Sequence, residues 1–512
     1  MAAEDAGAIP GREWRNVALI GVLVLVVVNG PYLLAYAAPP PWVFSGVLFS
    51  LQDGHSYLAK MRQGWDGAWL FALPFDPEPG PSVFVFTYYL ALGHAARWLN
   101  APLDWVYHAA RLLAGGWLLV EAYRTVARWM TPGRQRLIVW LAILAGSGLG
   151  WTAAARAGQT PDFWVAESIP FLTLFSNAHF PLAWALVLWL WRATLPFPRP
   201  PAPTWPRLAA VALAASGLAL VLPMALAPAV AGPGALLVAR AVQQRRLSLA
   251  DGLGLAAVGV GAAPWLILGA EAARLQPILV VAAPAPALSE AVFWGGLPLL
   301  LALLGAGFLI RRRSAADLAL LTWLGASALL IYFPVPFQRR LSLGVWVPLC
   351  LTAAIGVRDF VGPRLAARWR PALLAAVALP TVLSNLLVIG AAVSAVLSRR
   401  PDLFLTQTEA RALAALPPGA LVLAAPDTGM LIPARTGARV VYGHQYETRA
   451  AAERRQQVEA FFRGRAEPDE LLTRFAVDFV YSGPREAALG PRPDLAGWSP
   501  VWAEGDVVIY GR

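Results

Sequence analysis

Four segments of the chain carry side chains that could do chemistry. The first is Ser50-Leu51-Gln52-Asp53-Gly54-His55-Ser56-Tyr57, just after the first long apolar run. A carboxylate where a membrane helix meets water can act on substrates presented at the membrane face, with His55 and Tyr57 as nearby polar contacts. The same residues also fit a helix over Asp53 to Gln63 lying on the membrane. In that reading Asp53 is its N-cap, Tyr57, Lys60 and Met61 lie on neighbouring turns, and Trp65 and Trp69 are interfacial anchors.

The second segment is Tyr332-Phe333-Pro334-Val335-Pro336-Phe337-Gln338-Arg339-Arg340. Arginine holds phosphate oxygens bidentately through its planar fork, so Arg339 and Arg340, with Gln338, fit an anionic headgroup. Snorkelling of both arginines to lipid headgroups is the plainer alternative. Third is the loop Asp162 to His179, where Glu167, Asn177 and His179 stand among aromatics. Glu167 and His179 could orient a polar substrate, or His179 could simply cap the following helix. The fourth pairs Asp427 to Ala434 with Gly443-His444-Gln445-Tyr446-Glu447-Thr448. Gly429 and Gly443 predict tight turns there, and His444 and Glu447 either face a membrane-embedded site or serve a structural turn network.

The elements that must position these residues follow from composition. Of 512 residues, 58% are hydrophobic and only 14% charged, whereas a soluble chain is about 25% charged. Apolar runs approach or exceed the roughly 20 residues that cross a bilayer. Candidate spans run from Val17 to Ala37, then 84–99, 106–127, 137–156, 179–195, 208–222, 224–241, 250–270, 291–310, 315–333, 341–357 and 371–397. Ala35-Tyr36-Ala37 mimics a leader-peptide cleavage site, but the first run is longer than such a core and reads as an uncleaved helix. Pro223, Pro228 and Pro233 predict broken helices over 210–241. Beyond Arg400 no run is long enough to span. There Thr406 to Ala415 and Ala450 to Phe462 read as helices, and Ala420 to Ala425, Arg439 to Tyr442, Phe479 to Ser482 and Val507 to Tyr510 as short strands.

The expected architecture is a polytopic α-helical membrane domain, residues 1–398 with an outer loop at 38–83, followed by an extracytoplasmic α/β domain at 399–512. The net charge of +11 sits in pairs and triplets flanking spans, among them Arg12/Arg15, Arg134/Arg136, Arg240/Arg245/Arg246, Arg311 to Arg313 and Arg364/Arg368/Arg370. That is the positive-inside pattern rather than a nucleic-acid footprint. It places the N-terminus inside and the loops 38–83, 157–178, 271–290 and 333–340 outside. Twelve spans cannot also put the C-terminal domain outside. Either 84–99 is too short to cross or Phe163 to Phe175 crosses as well, leaving eleven or thirteen. Cys350 is the single cysteine, so neither a disulfide nor a cysteine metal site forms within one chain. No motif requires a cofactor, and no ligand spacing indicates a divalent metal. Neither a 20–50-residue repeat nor the inverted halves of a transporter is present.

With these segments in place, the chain resembles the GT-C superfamily of integral-membrane glycosyltransferases, in particular polyprenyl-phosphate-sugar dependent, mannosyltransferase-like members. The likeness is carried by Asp53 and Tyr57 in a DxxxY arrangement in the first outer loop, by an apolar segment opening near Pro81, and by Arg111 at the start of the third. The Gln338-Arg339-Arg340 loop before a span and the outer α/β domain complete it. Many members have two adjacent acidic residues in the first loop, where this chain has Gly54 after Asp53. The resemblance implies a polyprenyl-phosphate sugar donor in the bilayer of a bacterial cytoplasmic membrane and an extracytoplasmic acceptor that is a glycan, lipid or protein. It further implies Asp53 as general base in an inverting single displacement and Arg339 and Arg340 on the departing phosphate. A lipid-linked saccharide transporter would need charged residues deep within several spans, and these are scarce. A non-catalytic envelope assembly protein of the same fold is the remaining alternative.

Overall fold

The computed structural model describes residues 9–156, 160–194, 203–245, 249–465, 468–492 and 495–512. Arg246 and the loop positions 157–159 lie outside them. Among the described residues six helical segments are long and apolar enough to cross a membrane: Gly11–Tyr36, Arg134–Ala153, Pro223–Gln244, Gly252–Leu275, Leu288–Arg312 and Ala375–Leu397. The chain divides into two compact units. One comprises residues 1–29, 110–267 and 282–391, and the other 30–109, 268–281 and 392–512.

In the first unit, glycines and prolines set where helices stop and how closely they pack. The expected span at 137–156 falls in the crossing segment Arg134–Ala153, whose α-helix Arg134–Ala145 is closed by extended Gly146 and followed by a 3-10 turn, Gly150–Arg156. At Gly148, between the two, a side chain would overlap the Phe293 carbonyl oxygen. Of the three prolines expected to break 210–241, Pro223 alone interrupts the run. It separates helix Trp205–Val221 from Leu226–Gln244, which accommodates Pro228 in its first turn and Pro233 inside it. Trp191 and Trp323 stack in the core with ring centroids 4.0 Å apart. The segment Phe163 to Phe175 makes no crossing. It consists of a 3-10 turn, Pro161–Phe163, and a six-residue helix, Pro170–Phe175.

The second unit joins the loop after the first apolar helix to the C-terminal domain. Strand β1 (Trp42–Phe44) pairs antiparallel with β2 (Phe404–Thr406). Strands β3 (Leu421–Leu423), β4 (Arg439–Val440), β5 (Phe479–Ser482), β6 (Ser499–Glu504) and β7 (Val507–Gly511) form one sheet in the order β4-β3-β5-β7-β6. Its β4-β3-β5 part is parallel, and β6 and β7 add antiparallel. Leu421, Leu423 and Val480 pack against Val458, Phe461, Phe462 and Leu472 of the covering helices.

Helix Leu51–Trp65 is the element on which the site depends. It packs against Thr87–Leu99 and Pro426–Thr436 and is not the membrane-surface helix of the alternative reading, since Ser56, Leu58, Ala59, Lys60 and Met61 are all buried. The contact with Thr87–Leu99 is backbone to backbone: a side chain at Gly64 would overlap the Leu90 carbonyl, and one at Gly93 the Met61 carbonyl. Thr87–Leu99 has 13 residues, about 20 Å at 1.5 Å each, short of the ~30 Å hydrocarbon core. It therefore does not cross alone. Gly429 lies within a helix and takes no left-handed conformation, so the tight turn expected there is absent. Its role is close approach, because a Cβ would overlap the Tyr442 carbonyl.

Gly93→Val is therefore expected to lower the thermal unfolding midpoint of the purified protein, with overpacking costing about 1–3 kcal/mol or more. Gly116→Ala, where nothing lies within 4 Å of the added carbon, leaves the midpoint unchanged.

Candidate functional site

In the unit that holds the outer loop, Ser50, in a left-handed conformation, is the N-cap of helix Leu51–Trp65. This corrects the assignment of the cap to Asp53, which stands in the first turn. There its charge is favoured by the N-terminal end of the helix dipole, and its side chain is 52% exposed. Gly54 is explained sterically, since any side chain would overlap the methyl groups of buried Val47. A second carboxylate beside Asp53 is thus excluded by packing. Tyr57, one turn on, stacks on Tyr89 at 4.2 Å.

His55 points away from this face, about 200° around the helix from Asp53 at 100° per residue. It is 1% exposed. Burial first, then the positive charges of Arg435 and Arg485, pull its imidazole down to about 3. A neutral, enclosed ring of this kind is a core residue, not the substrate contact expected of it.

His444 is brought to Asp53. Its Nε2 lies 3.9 Å from Asp53 Oδ1, and its Nδ1 accepts the Tyr446 backbone N–H at 3.1 Å. The segment carrying it is fastened to the outer loop. Thr448 Oγ1 donates to the Phe75 carbonyl at 2.7 Å, and the Arg449 N–H donates to Asp76 Oδ2 at 2.6 Å.

The strongest fastening is one that sequence reasoning missed. Lys60, wholly buried, places Nζ 2.7 Å from Glu447 Oε1, and Ser56 Oγ donates to the same oxygen at 2.7 Å. Lys60 Nζ also donates to Ser56 Oγ and lies 4.1 Å from the Phe86 ring centroid and 5.0 Å from that of Phe71. Contacts to a carboxylate and two aromatic faces are those of an ammonium, so the pair is ionised. Burial alone would push the Glu447 carboxyl up. The Lys60 ammonium outweighs it, with the Ser56 hydroxyl adding to the effect, and holds Glu447 below its ordinary value. Glu447 is thereby a structural anchor rather than an open substrate contact. The available signal was that Lys60 is the only lysine in the chain, four residues from Ser56.

The other unit holds a second cluster. Gln338–Ser342 is a 3-10 turn held by Arg339 N–H donating to the Ala283 carbonyl at 2.9 Å and by Gln338 Oε1 accepting from Ala285 N–H at 3.1 Å. The Arg339 guanidinium stands 3.6 Å from Glu167 Oε1 and 4.7 Å from the Trp164 ring centroid, while its buried Nε has no hydrogen-bond partner. Two independently singled-out residues, Glu167 and Arg339, therefore meet. Arg340 contacts Met224 Sδ at 3.6 Å, and no carboxylate pairs with it among the described residues. His179 is the first residue of helix His179–Thr194 and is buried against Phe180. Among the described residues no three His, Cys, Asp or Glu side chains converge as metal ligands.

No family model matches the chain, and no curated protein does. Solved structures do. ArnT from Cupriavidus metallidurans bound to undecaprenyl phosphate superposes with a TM-score of 0.53 at 14% identity, covering 98% of this chain and 98% of that one. Its apo state gives 0.51 at 13% identity, covering 96% and 97%. The Archaeoglobus fulgidus oligosaccharyltransferase tethered with an acceptor peptide gives 0.55 at 14% identity, covering 92% of this chain and 69% of that one. At such identities the likeness establishes the fold that this chain shares with those proteins, apolar helices with a small C-terminal sheet domain.

Breaking the buried pair gives a direct check. Lys60→Met strands the Glu447 carboxylate and is expected to cost about 3–5 kcal/mol, and Lys60→Met with Glu447→Leu restores part of it. Because Glu447 is held below its ordinary value, its contribution is complete at neutral pH and is lost as pH falls through and below the ordinary carboxylate range. Unfolding midpoints measured from pH 7 to pH 4 should fall less steeply in the double variant than in the wild type.

Proposed function

From the GT-C fold that this chain shares with those solved proteins, we propose that it is an integral-membrane glycosyltransferase. It moves a sugar from a polyprenyl-phosphate donor to an extracytoplasmic acceptor by single displacement with inversion. The observation that carries this reading is Asp53, an acid about half exposed on a helix whose neighbouring positions are buried and locked in place. Such mounting fixes a carboxylate on the exposed side of its helix, as a general base requires.

The chemistry balances with the residues present. The acceptor hydroxyl attacks the anomeric carbon, and its proton passes to the Asp53 carboxylate as the new glycosidic bond forms. The bond from the anomeric carbon to the phosphate oxygen breaks, and the electron pair leaves with the polyprenyl phosphate. Arg339 and Arg340 meet the charge that accumulates there. Arg339 is held by Glu167 and Trp164 until an anion arrives, and Arg340, with no carboxylate partner among the described residues, is open to a phosphate oxygen. Tyr57, Glu167 and His179 contribute the polar lining for sugar or acceptor. The N-terminus lies on the cytoplasmic side of a bacterial inner membrane and the C-terminal domain outside.

Asp53→Asn is expected to lower transfer of radiolabelled sugar from undecaprenyl-phosphate sugars to membrane acceptors by 10²–10⁴-fold, about the range of general-base catalysis, with unchanged expression and folding. Substantial residual turnover in that variant would sink the assignment. Separately, Arg340→Ala should weaken undecaprenyl phosphate binding about tenfold or more, as loss of a charge-assisted hydrogen bond worth about 1.5–3 kcal/mol requires. Native mass spectrometry of the detergent-purified protein reads this directly.

A further inference from the structure

One polar atom near Asp53 is unaccounted for. His444 is 3% exposed at its side chain, and its Nε2 is buried with no hydrogen-bond partner. A buried N–H left unsatisfied costs about 1–3 kcal/mol, so the position of this one is informative. It faces Asp53 Oδ1 across 3.9 Å.

The proton on His444 can be located. The Tyr446 backbone N–H can only donate, and it donates to Nδ1. Nδ1 is therefore unprotonated, and a neutral ring carries its hydrogen on Nε2. The charged groups acting on the ring are Glu447, Lys60 and Asp53. Burial is the largest influence, and it lowers the imidazole below its ordinary value. The ring is thus neutral at physiological pH, with its one N–H directed at the acid.

We propose that His444 is a positioning residue for Asp53, donating Nε2–H to one carboxylate oxygen and so orienting the other toward the acceptor proton. The ring is carried by the segment that Glu447 pins to Lys60 and Ser56, so the buried ion pair fixes the height of His444 above the first turn of helix Leu51–Trp65. Donation to the carboxylate also favours its ionised form, the form a base must have before it accepts a proton. This inference rests on the reading of Asp53 as the base, but its test does not depend on transfer activity.

The test is carbodiimide and glycine ethyl ester labelling of Asp53 in the full-length, detergent-purified protein over a pH series, read by peptide mass spectrometry. Labelling falls as the carboxyl ionises. In His444→Ala the half-maximum should move to higher pH by about half a unit or more, as loss of a hydrogen bond to a charged group requires. Gln and Asn separate positioning from a merely structural role. The amide nitrogen of His444→Gln reaches the place of Nε2 and should restore the wild-type midpoint. His444→Asn reaches only the place of Nδ1 and should behave like the alanine variant. An unchanged midpoint in His444→Ala, or rescue by Asn and not by Gln, would overturn the proposal. Where the alanine variant fails to fold, the Gln and Asn pair decides alone. A shifted midpoint alongside full transfer activity in Asp53→Asn would instead uphold the positioning and defeat the base assignment.

Discussion

The outer-loop unit depends on one buried ammonium. Lys60 is wholly buried, and its contacts are a carboxylate, a hydroxyl and aromatic faces. An isolated charge so placed would be prohibitive, which makes Glu447 obligatory and fixes the segment that carries it. That segment also carries His444. A single electrostatic requirement thus joins the helix after the first apolar run to a loop of the C-terminal domain, and it is met beside the acid most suited to chemistry. The pair specifies geometry more than it adds stability, because desolvation offsets much of its attraction.

Around that pair, glycines decide how near the backbones come. Gly64 and Gly93 let two helices meet at their carbonyls, Gly429 admits the strand-end backbone at Tyr442, and Gly54 clears Val47. Gly54 also bears on mechanism. The absence of a second acid in the first loop follows from a packing constraint one residue from Asp53. In the other unit Arg339 is already engaged by Glu167 and Trp164 while Arg340 is not. Two adjacent arginines thereby have different readiness for an anion.

Much of this was legible in the sequence, and the reasons differ by element. Helix Ala451–Phe462 and the strands at Leu421–Leu423, Phe479–Ser482 and Val507–Gly511 announced themselves through alternation or short apolar runs. The edge strand Ser499–Glu504 did not, because it is exposed along most of its length and contains Pro500. The helix Pro426–Thr436 was not legible, because Gly429 predicts a tight turn within it. In the fold, Pro426 starts the helix where its missing N–H costs nothing, and Gly429 serves a contact. Asp53 and the arginine pair stood out as charges in an apolar chain. The buried cluster of Lys60, Ser56 and Glu447 did not, since Ser56 and Glu447 are 391 positions apart and no local pattern encodes such a meeting. His55 misled because a histidine beside a candidate acid looks functional, and only the helix phase shows that it faces the core.

The central proposal is that Asp53 acts as the base of the transfer and that the two arginines bind the phosphate. The most direct measurement is an electron cryomicroscopy structure of the full-length protein in nanodiscs with undecaprenyl phosphate. The account predicts the phosphate against the guanidinium groups of Arg339 and Arg340, with the Asp53 carboxylate no farther from it than one sugar can bridge. Phosphate bound elsewhere, or Asp53 beyond the reach of a single sugar, would contradict it.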